Sequence, residues 1–286
     1  MINVVLLFVA HLLFSTSASA QVFNDSSVRG CSGPIQVIAR DEFPINSTGT
    51  ARLAHGSARE PWYVSLTITD RRQRGVVYGD SITWQQLEGF LSVPSSLAGS
   101  QRDNQTEYCM FMLPPRDPSS QEEAGDCTGV LSDECMRSLI HNTPSIRDGR
   151  CHTPSDVEEA CGTNVPLVSR SPSNFSSTDC TLTGLPHIDL PEDYRTYGDL
   201  PVAVYGGGND RENFDLYDKN VRQVVPMLFT IKSSDGTVEN KAVCLAPDNV
   251  LEGSRVPEST AARSSSAHAS EAALTVMAVV FLLSVA

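Results

Sequence analysis

Trp62-Tyr63-Val64-Ser65-Leu66-Thr67-Ile68-Thr69 is the stretch that decides the fold class. Trp62, Val64, Leu66 and Ile68 alternate with Tyr63, Ser65, Thr67 and Thr69. Side chains along a strand point to opposite faces in turn, so a period of two describes a strand with one buried and one wet face. A helix would collect its apolar residues at spacings of three and four.

Further strand candidates flank this one. Residues 35–40 and 108–113 are short apolar runs, the second carrying Cys109 and stopped by Pro114-Pro115. Residues 76–78 and 81–84 around Gly79-Asp80 read as a hairpin. Residues 85–90 read as a helical turn, and 92–106 as a loop. Strands return after Pro191: residues 200–205, ending in a flexible Gly206-Gly207-Gly208 turn; residues 222–232; and residues 237–245 after a Ser234-Asp235-Gly236 turn. Pro226 lacks an N–H, which places it at a sheet edge or a bulge.

Residues 114–191 differ in composition, being rich in Pro, Ser, Asp and Cys. Two short helices are marked there. Ser132 is an N-cap, Asp133 and Glu134 suit the positive end of the dipole, and Leu131 with Met136 forms a hydrophobic staple. That helix reaches about His141. The second begins at Pro154, with Ser155 and Glu158 as a capping box and Gly162 just past its end. Packed antiparallel, the pair brings Cys135 towards Cys161. Large apolar residues are scarce in this segment, so disulfides are needed to order it. The expected architecture is mainly β, a sandwich whose outer strands come from both halves, with the cysteine-rich short-helix insert at one end. The alternative is a looser α+β fold.

The eight cysteines are Cys31, Cys109, Cys127, Cys135, Cys151, Cys161, Cys180 and Cys244. Their even number and the absence of any Cys-x-x-Cys point to disulfides rather than zinc. Cys109 and Cys244 fall in strands and are expected to staple neighbours.

Both ends of the chain read as export signals. Residues 4–14 are apolar apart from His11, and Ala18-Ser19-Ala20 gives a small-x-small cleavage site, so residues 1–20 form a signal peptide. Sequons at Asn24, Asn46, Asn104 and Asn174 are N-glycosylation candidates on exposed loops. The last stretch, residues 272–286, is apolar, follows a polar spacer and has no basic residue after it. As a helix it would rise about 22 Å, short of the roughly 30 Å hydrocarbon core. Small residues, spacer and tail together form a glycosylphosphatidylinositol (GPI) attachment signal. Ser264 is the expected attachment residue, with Ser259 and Ser265 as alternatives. The domain reading is then a signal peptide (1–20), a disulfide-stapled ectodomain (21–250, with the insert at 114–191), a Ser/Ala-rich stalk (251–271) and a removed tail (272–286).

The formal charge of −13, from 34 acidic and 21 basic residues, excludes nucleic acid as a charge-driven partner. The block Gly79-Asp80-Ser81 after an apolar run resembles the first block of the SGNH (GDSL) ester hydrolases, and Gly207-Gly208-Asn209-Asp210 resembles their Gly-x-Asn-Asp block. The resemblance implies Ser81 as nucleophile and Asn209 at the oxyanion. It also requires an Asp-x-x-His, which the chain lacks. The acidic run Asp210, Glu212, Asp215 and Asp218 departs from EF-hand order and reads as a solvated loop. His55, His141, His152 and His187 have no ligand spacing. No metal and no cofactor are expected.

The whole layout resembles that of small GPI-anchored surface proteins of filamentous fungi. That resemblance implies a non-catalytic structural, adhesive or ligand-binding role at the outer leaflet of the plasma membrane or the cell wall. Its expected partners are the membrane through the lipid, and cell-wall polysaccharide or another surface protein. The alternative function is an anchored SGNH-like ester hydrolase using Ser81.

Overall fold

The computed structural model describes residues 44–54, 60–72, 82–97, 106–117, 124–141, 148–152, 156–163, 167–168, 172–175, 180–198 and 203–258, together with Ile35, Ile38 and Ile146. The expected signal peptide, the apolar stretch 272–286, Cys31, Ser81, Asn24, Asn104, Ser259, Ser264 and Ser265 lie outside them. No helix among the described residues is long and apolar enough to cross a membrane.

The fold is mainly β and wholly antiparallel in its two sheets. The first sheet contains β1 (Ser47–Leu53), β2 (Trp62–Arg71), β3 (Thr83–Pro94), β7 (Thr181–Thr183), β8 (Tyr194–Tyr197), β9 (Ala203–Gly208) and β12 (Asn249–Val250). Its order is β12-β1-β2-β3-β8-β7, with β9 also pairing β3. The second contains β4 (Glu107–Met112), β5 (Leu167–Val168), β6 (Ser173–Asn174), β10 (Val225–Lys232) and β11 (Val238–Leu245). It runs β11-β10-β4-β5, with β6 also on β4. Strands from both halves of the chain therefore pair in each sheet, as the sandwich reading expected. The helices are α1 (Asp133–His141), α2 (Val157–Cys161) and α3 (Asp215–Arg222).

The pleat of β4 explains the layering. Tyr108, Met110 and Met112 enter the space between the sheets, where they join Trp62, Val64, Leu66 and Ile68 of β2 and Met227, Phe229 and Ile231 of β10. The intervening residues Cys109 and Phe111, and Leu113 just beyond, face the other way. They pack with Leu228, Leu131, Leu139 and Val157. The second sheet is thus buried on both faces. This corrects the expected position of the insert: α1 and α2 cover the outer face of the sheet instead of capping one end. Three disulfides fasten the layer, Cys109–Cys151, Cys127–Cys244 and Cys135–Cys161, spanning 42, 117 and 26 residues. The helix-to-helix bridge is the one expected. Cys109 and Cys244 differ, since each ties its strand to the insert and not to a neighbouring strand. Cys180 is also disulfide-bonded, and no described cysteine is free.

Helix ends follow their local signals. The Ser132 hydroxyl accepts from the Cys135 N–H at 3.2 Å, which is the expected cap. Gly162 closes α2 at φ 65°, in the left-handed region. Pro154 and Ser155 lie outside the described residues.

Several local expectations yield to sheet context. Residues 85–90 are not a helical turn, and 92–94 are not loop: all belong to β3, which pairs with β2 on one side and β9 and β8 on the other. Long-range pairing outweighs the helical preference of Gln and Glu. Residues 76–81, most of the expected hairpin, lie outside the described residues; Thr83 and Trp84 begin β3. The triple glycine continues β9, with a register shift opposite Thr83 and Trp84, instead of forming a turn. Ile35 and Ile38 are helical, not extended, and their spacing of three puts both on the Phe90 and Leu182 cluster. Pro226 sits in a central strand. Its carbonyl accepts from Leu113 N–H at 2.9 Å just past the end of the β4 ladder, so its missing N–H removes only the reciprocal bond at that end.

The expected wet face of β2 is also buried: Ser65 and Thr67 are 0 % exposed. Finally, residues 249–258 belong to the folded body, so the stalk does not begin at 251.

Phe175 shows how closely the insert is built into the core. It is fully buried, stacks on Tyr108 at 5.1 Å, and meets Trp62 and Tyr197 edge-on at 5.0 and 5.2 Å. One insert side chain thereby contacts strands of both sheets. Phe175→Ala is expected to cost about 3–5 kcal/mol in denaturant unfolding, as for other large aromatic truncations. A loss below about 1 kcal/mol would show that the insert is not part of the core.

Candidate functional site

Gly79-Asp80-Ser81 lies outside the described residues, but Ile82 and Thr83 just after it meet Gly208 of the second hydrolase-like block. The Ile82 N–H donates to Gly208 O at 3.0 Å, and Thr83 Oγ1 donates to the same oxygen at 3.1 Å. Asn209 follows, exposed. The β3–β9 ladder alone accounts for this neighbourhood. The resemblance implies a parallel sheet, whereas both sheets here are antiparallel. His141 lies at the end of α1, His152 follows Cys151, and His187 sits in the turn between β7 and β8. No group of three His, Cys, Asp or Glu able to hold a metal exists among the described residues.

The acidic run is a solvated loop only in its first half, where Asp210 and Glu212 are exposed; Asp215 and Asp218 belong to α3. Asp210 Oδ1 accepts from Glu212 N–H, and Asn213 Oδ1 accepts from Asp215 N–H, both at 2.9 Å, which turns the chain into α3. Asp218 then lies on the inward side of α3, 1 % exposed. The Arg255 guanidinium donates to both its oxygens, at 3.1 and 3.2 Å. Arg255 also reaches Glu258 at 2.9 Å. The Arg222 side chain donates to Glu258 O at 2.6 Å, and Tyr217 OH to Arg255 O at 3.1 Å. Phe214 packs against two guanidinium groups, with Arg72 at 3.5 Å and Arg255 at 4.4 Å from its ring centre. Burial, followed by the charges of Asp70 and Asp218, pushes the Tyr217 hydroxyl up to about 12. This cluster clasps residues 255–258 to α3. Only the run of acids was visible in the sequence; the partner, Arg255, lies 37 residues away in what read as stalk.

Asn46 departs from the exposed-loop expectation. Its Oδ1 accepts from Asp70 N–H at 2.6 Å, and its Nδ2 donates to Ser254 Oγ at 3.3 Å. Ser47 and Thr48 of that sequon are buried in β1. Asn174 is half-buried in the short strand β6, beside Glu107.

One buried carboxylate went unnoticed in the sequence. Glu88 stands on the outer face of the first sheet, 2 % exposed and directly across from Thr67, and receives a hydrogen bond from Gln86 Nε2 at 2.5 Å. Burial raises it from 4.5 to about 7, against the smaller opposing pull of Gln86 and Arg71. A Glu within a period-two run is the only signal that hints at this.

Comparison with protein-family models, curated proteins and solved structures returns no match. The site is therefore read from its own geometry.

The raised Glu88 value carries a pH dependence. The folded state holds a proton that the unfolded state releases above 4.5, so stability falls as pH rises from 4.5 to about 7 and stays low above. Glu88→Gln should then gain about 1–3 kcal/mol at about pH 8 and little at about pH 4.5. Denaturant unfolding at both pH values checks this, and an equal gain at both would contradict it.

Proposed function

We propose that this chain is the ectodomain of a GPI-anchored, N-glycosylated surface protein with a structural, adhesive or ligand-binding role and no catalysis. The observation that carries the reading is the set of long-span disulfides that hold the insert to the strands. Such bonds form and persist in oxidising compartments and suit exported chains. The export signals at the two ends of the sequence agree with that address. The clasp at Arg255 and Glu258 adds a physical reason for the placement of the anchor. It fastens the chain immediately before the small, polar residues in which attachment is expected, so a tether would meet a fixed point on the body. The glycans belong to Asn24, Asn104 and Asn174; the side-chain amide of Asn46 is engaged within the protein.

Phospholipase treatment of intact cells tests this. A phosphatidylinositol-specific phospholipase C should release the protein, and mass spectrometry should find a C-terminal peptide ending near Ser264, or at Ser259 or Ser265, with an ethanolamine phosphate remnant. A membrane-retained chain intact to Ala286 would contradict the anchor.

A further inference from the structure

The insert covers the outer face of the second sheet, but its cover stops one row of residues short. Thr230 and Cys109 stand opposite each other on β10 and β4, and each is 1 % exposed. Asn240 of β11 stands opposite Thr230, and its Nδ2 donates to Ile140 O near the end of α1 at 3.2 Å. Two residues along each strand the same face returns. There Asn174, Glu107, Lys232 and Val238 lie in register across β6, β4, β10 and β11. This row is open. The side chains of Glu107 and Lys232 are 34 % and 39 % exposed, and Val238 is 42 % exposed. Among the described residues, Val238 and Val256 are the large hydrophobics left exposed.

The row begins at a sequon, Asn174-Phe175-Ser176. Phe175 is buried between the two sheets, so the alternation of the chain turns Asn174 the other way, to the outer face beside Glu107. The Asn46 amide is engaged by Asp70 and Ser254, whereas the Asn174 amide makes no hydrogen bond among the described residues. Its Nδ2 is therefore placed to carry a sugar at the edge of the bare row.

We propose that the N-glycan on Asn174 folds back across this row, its first sugars packed on Glu107, Lys232 and Val238, and so completes the cover of the second sheet. Lys232 lies two strands from Asn174, about 10 Å at the usual strand spacing, which is within reach of the first sugars. The surface suits a saccharide. Glu107 and Lys232 meet at 3.0 Å and set an acceptor beside a donor, which matches hydroxyl and acetamido groups that both give and accept hydrogen bonds. The methylene stem of Lys232 and the Val238 side chain offer apolar area to the C–H face of a sugar ring. Attachment joins the anomeric carbon of the sugar to Asn174 Nδ2. It breaks the bond from that carbon to an isoprenoid pyrophosphate carrier, which leaves with the electron pair while the amide loses one proton. The proposal rests on the chain being N-glycosylated, as inferred under Proposed function, and is independent of the anchor.

Amine footprinting tests it on the purified full chain made in an N-glycosylating host. The chain has three lysines, Lys219, Lys232 and Lys241. Lys219 is exposed on α3 and serves as the internal reference. Mass spectrometry first reads the occupancy of Asn174, and then the acylation rate of Lys232 relative to Lys219. The glycosylated protein should show a ratio about fivefold lower than the Ser176→Ala variant, which corresponds to roughly 1 kcal/mol at 1.4 kcal/mol per factor of ten. Enzymatic removal of N-glycans from the folded wild-type protein should raise the ratio by the same factor, and this arm does not depend on the variant folding. An occupied Asn174 with an unchanged ratio would overturn the contact and leave the glycoprotein reading standing. An unoccupied Asn174 would overturn the proposal, and the glycoprotein reading falls with it only if Asn24 and Asn104 are bare as well.

Discussion

The burial of one sheet on both faces governs this molecule. The β4–β10 pair places apolar side chains alternately towards the first sheet and away from it, so a single partner layer leaves half of them in water. At roughly 25 cal/mol per Å² of apolar area, such exposure would be severe for strands this apolar. The cysteine-rich insert supplies the missing layer. It has few large apolar residues of its own, and its helices are short, so it is held by covalent bonds from the strands it covers. The sheet needs the insert as a cover, and the insert needs the sheet as a base.

How much of this the sequence revealed depends on the length scale of each signal. The β2 alternation, the Ser132 cap, the Gly162 stop and the 234–236 turn rest on neighbouring residues and were legible. The Cys135–Cys161 bridge followed from two helices packed antiparallel. What failed depended on distant partners. Residues 85–90 look helical until β2, β8 and β9 flank them. Pro226 looks like an edge residue until β4 is seen to end beside it. Ser65 and Thr67 look wet because polarity normally marks exposure, yet the first sheet is covered on its outer side as well.

The candidate functional features divide in the same way. Acidic residues and sequons are easy to see, but their surroundings were set by remote groups: Asp218 by Arg255, and the Asn46 amide by Asp70 and Ser254. Arg255 was assigned to a stalk because Ser, Arg and Ala dominate the residues around it, while the contacts that order it come from α3. The clasp holds residues 255–258 against α3.

The most direct test of this architecture is non-reducing peptide mapping of the purified protein by mass spectrometry. Linked peptides joining Cys109 to Cys151, Cys127 to Cys244 and Cys135 to Cys161 are the expected result. A peptide joining Cys109 directly to Cys244, or free thiols at these positions, would contradict the account of an insert clipped across the outer face of the second sheet.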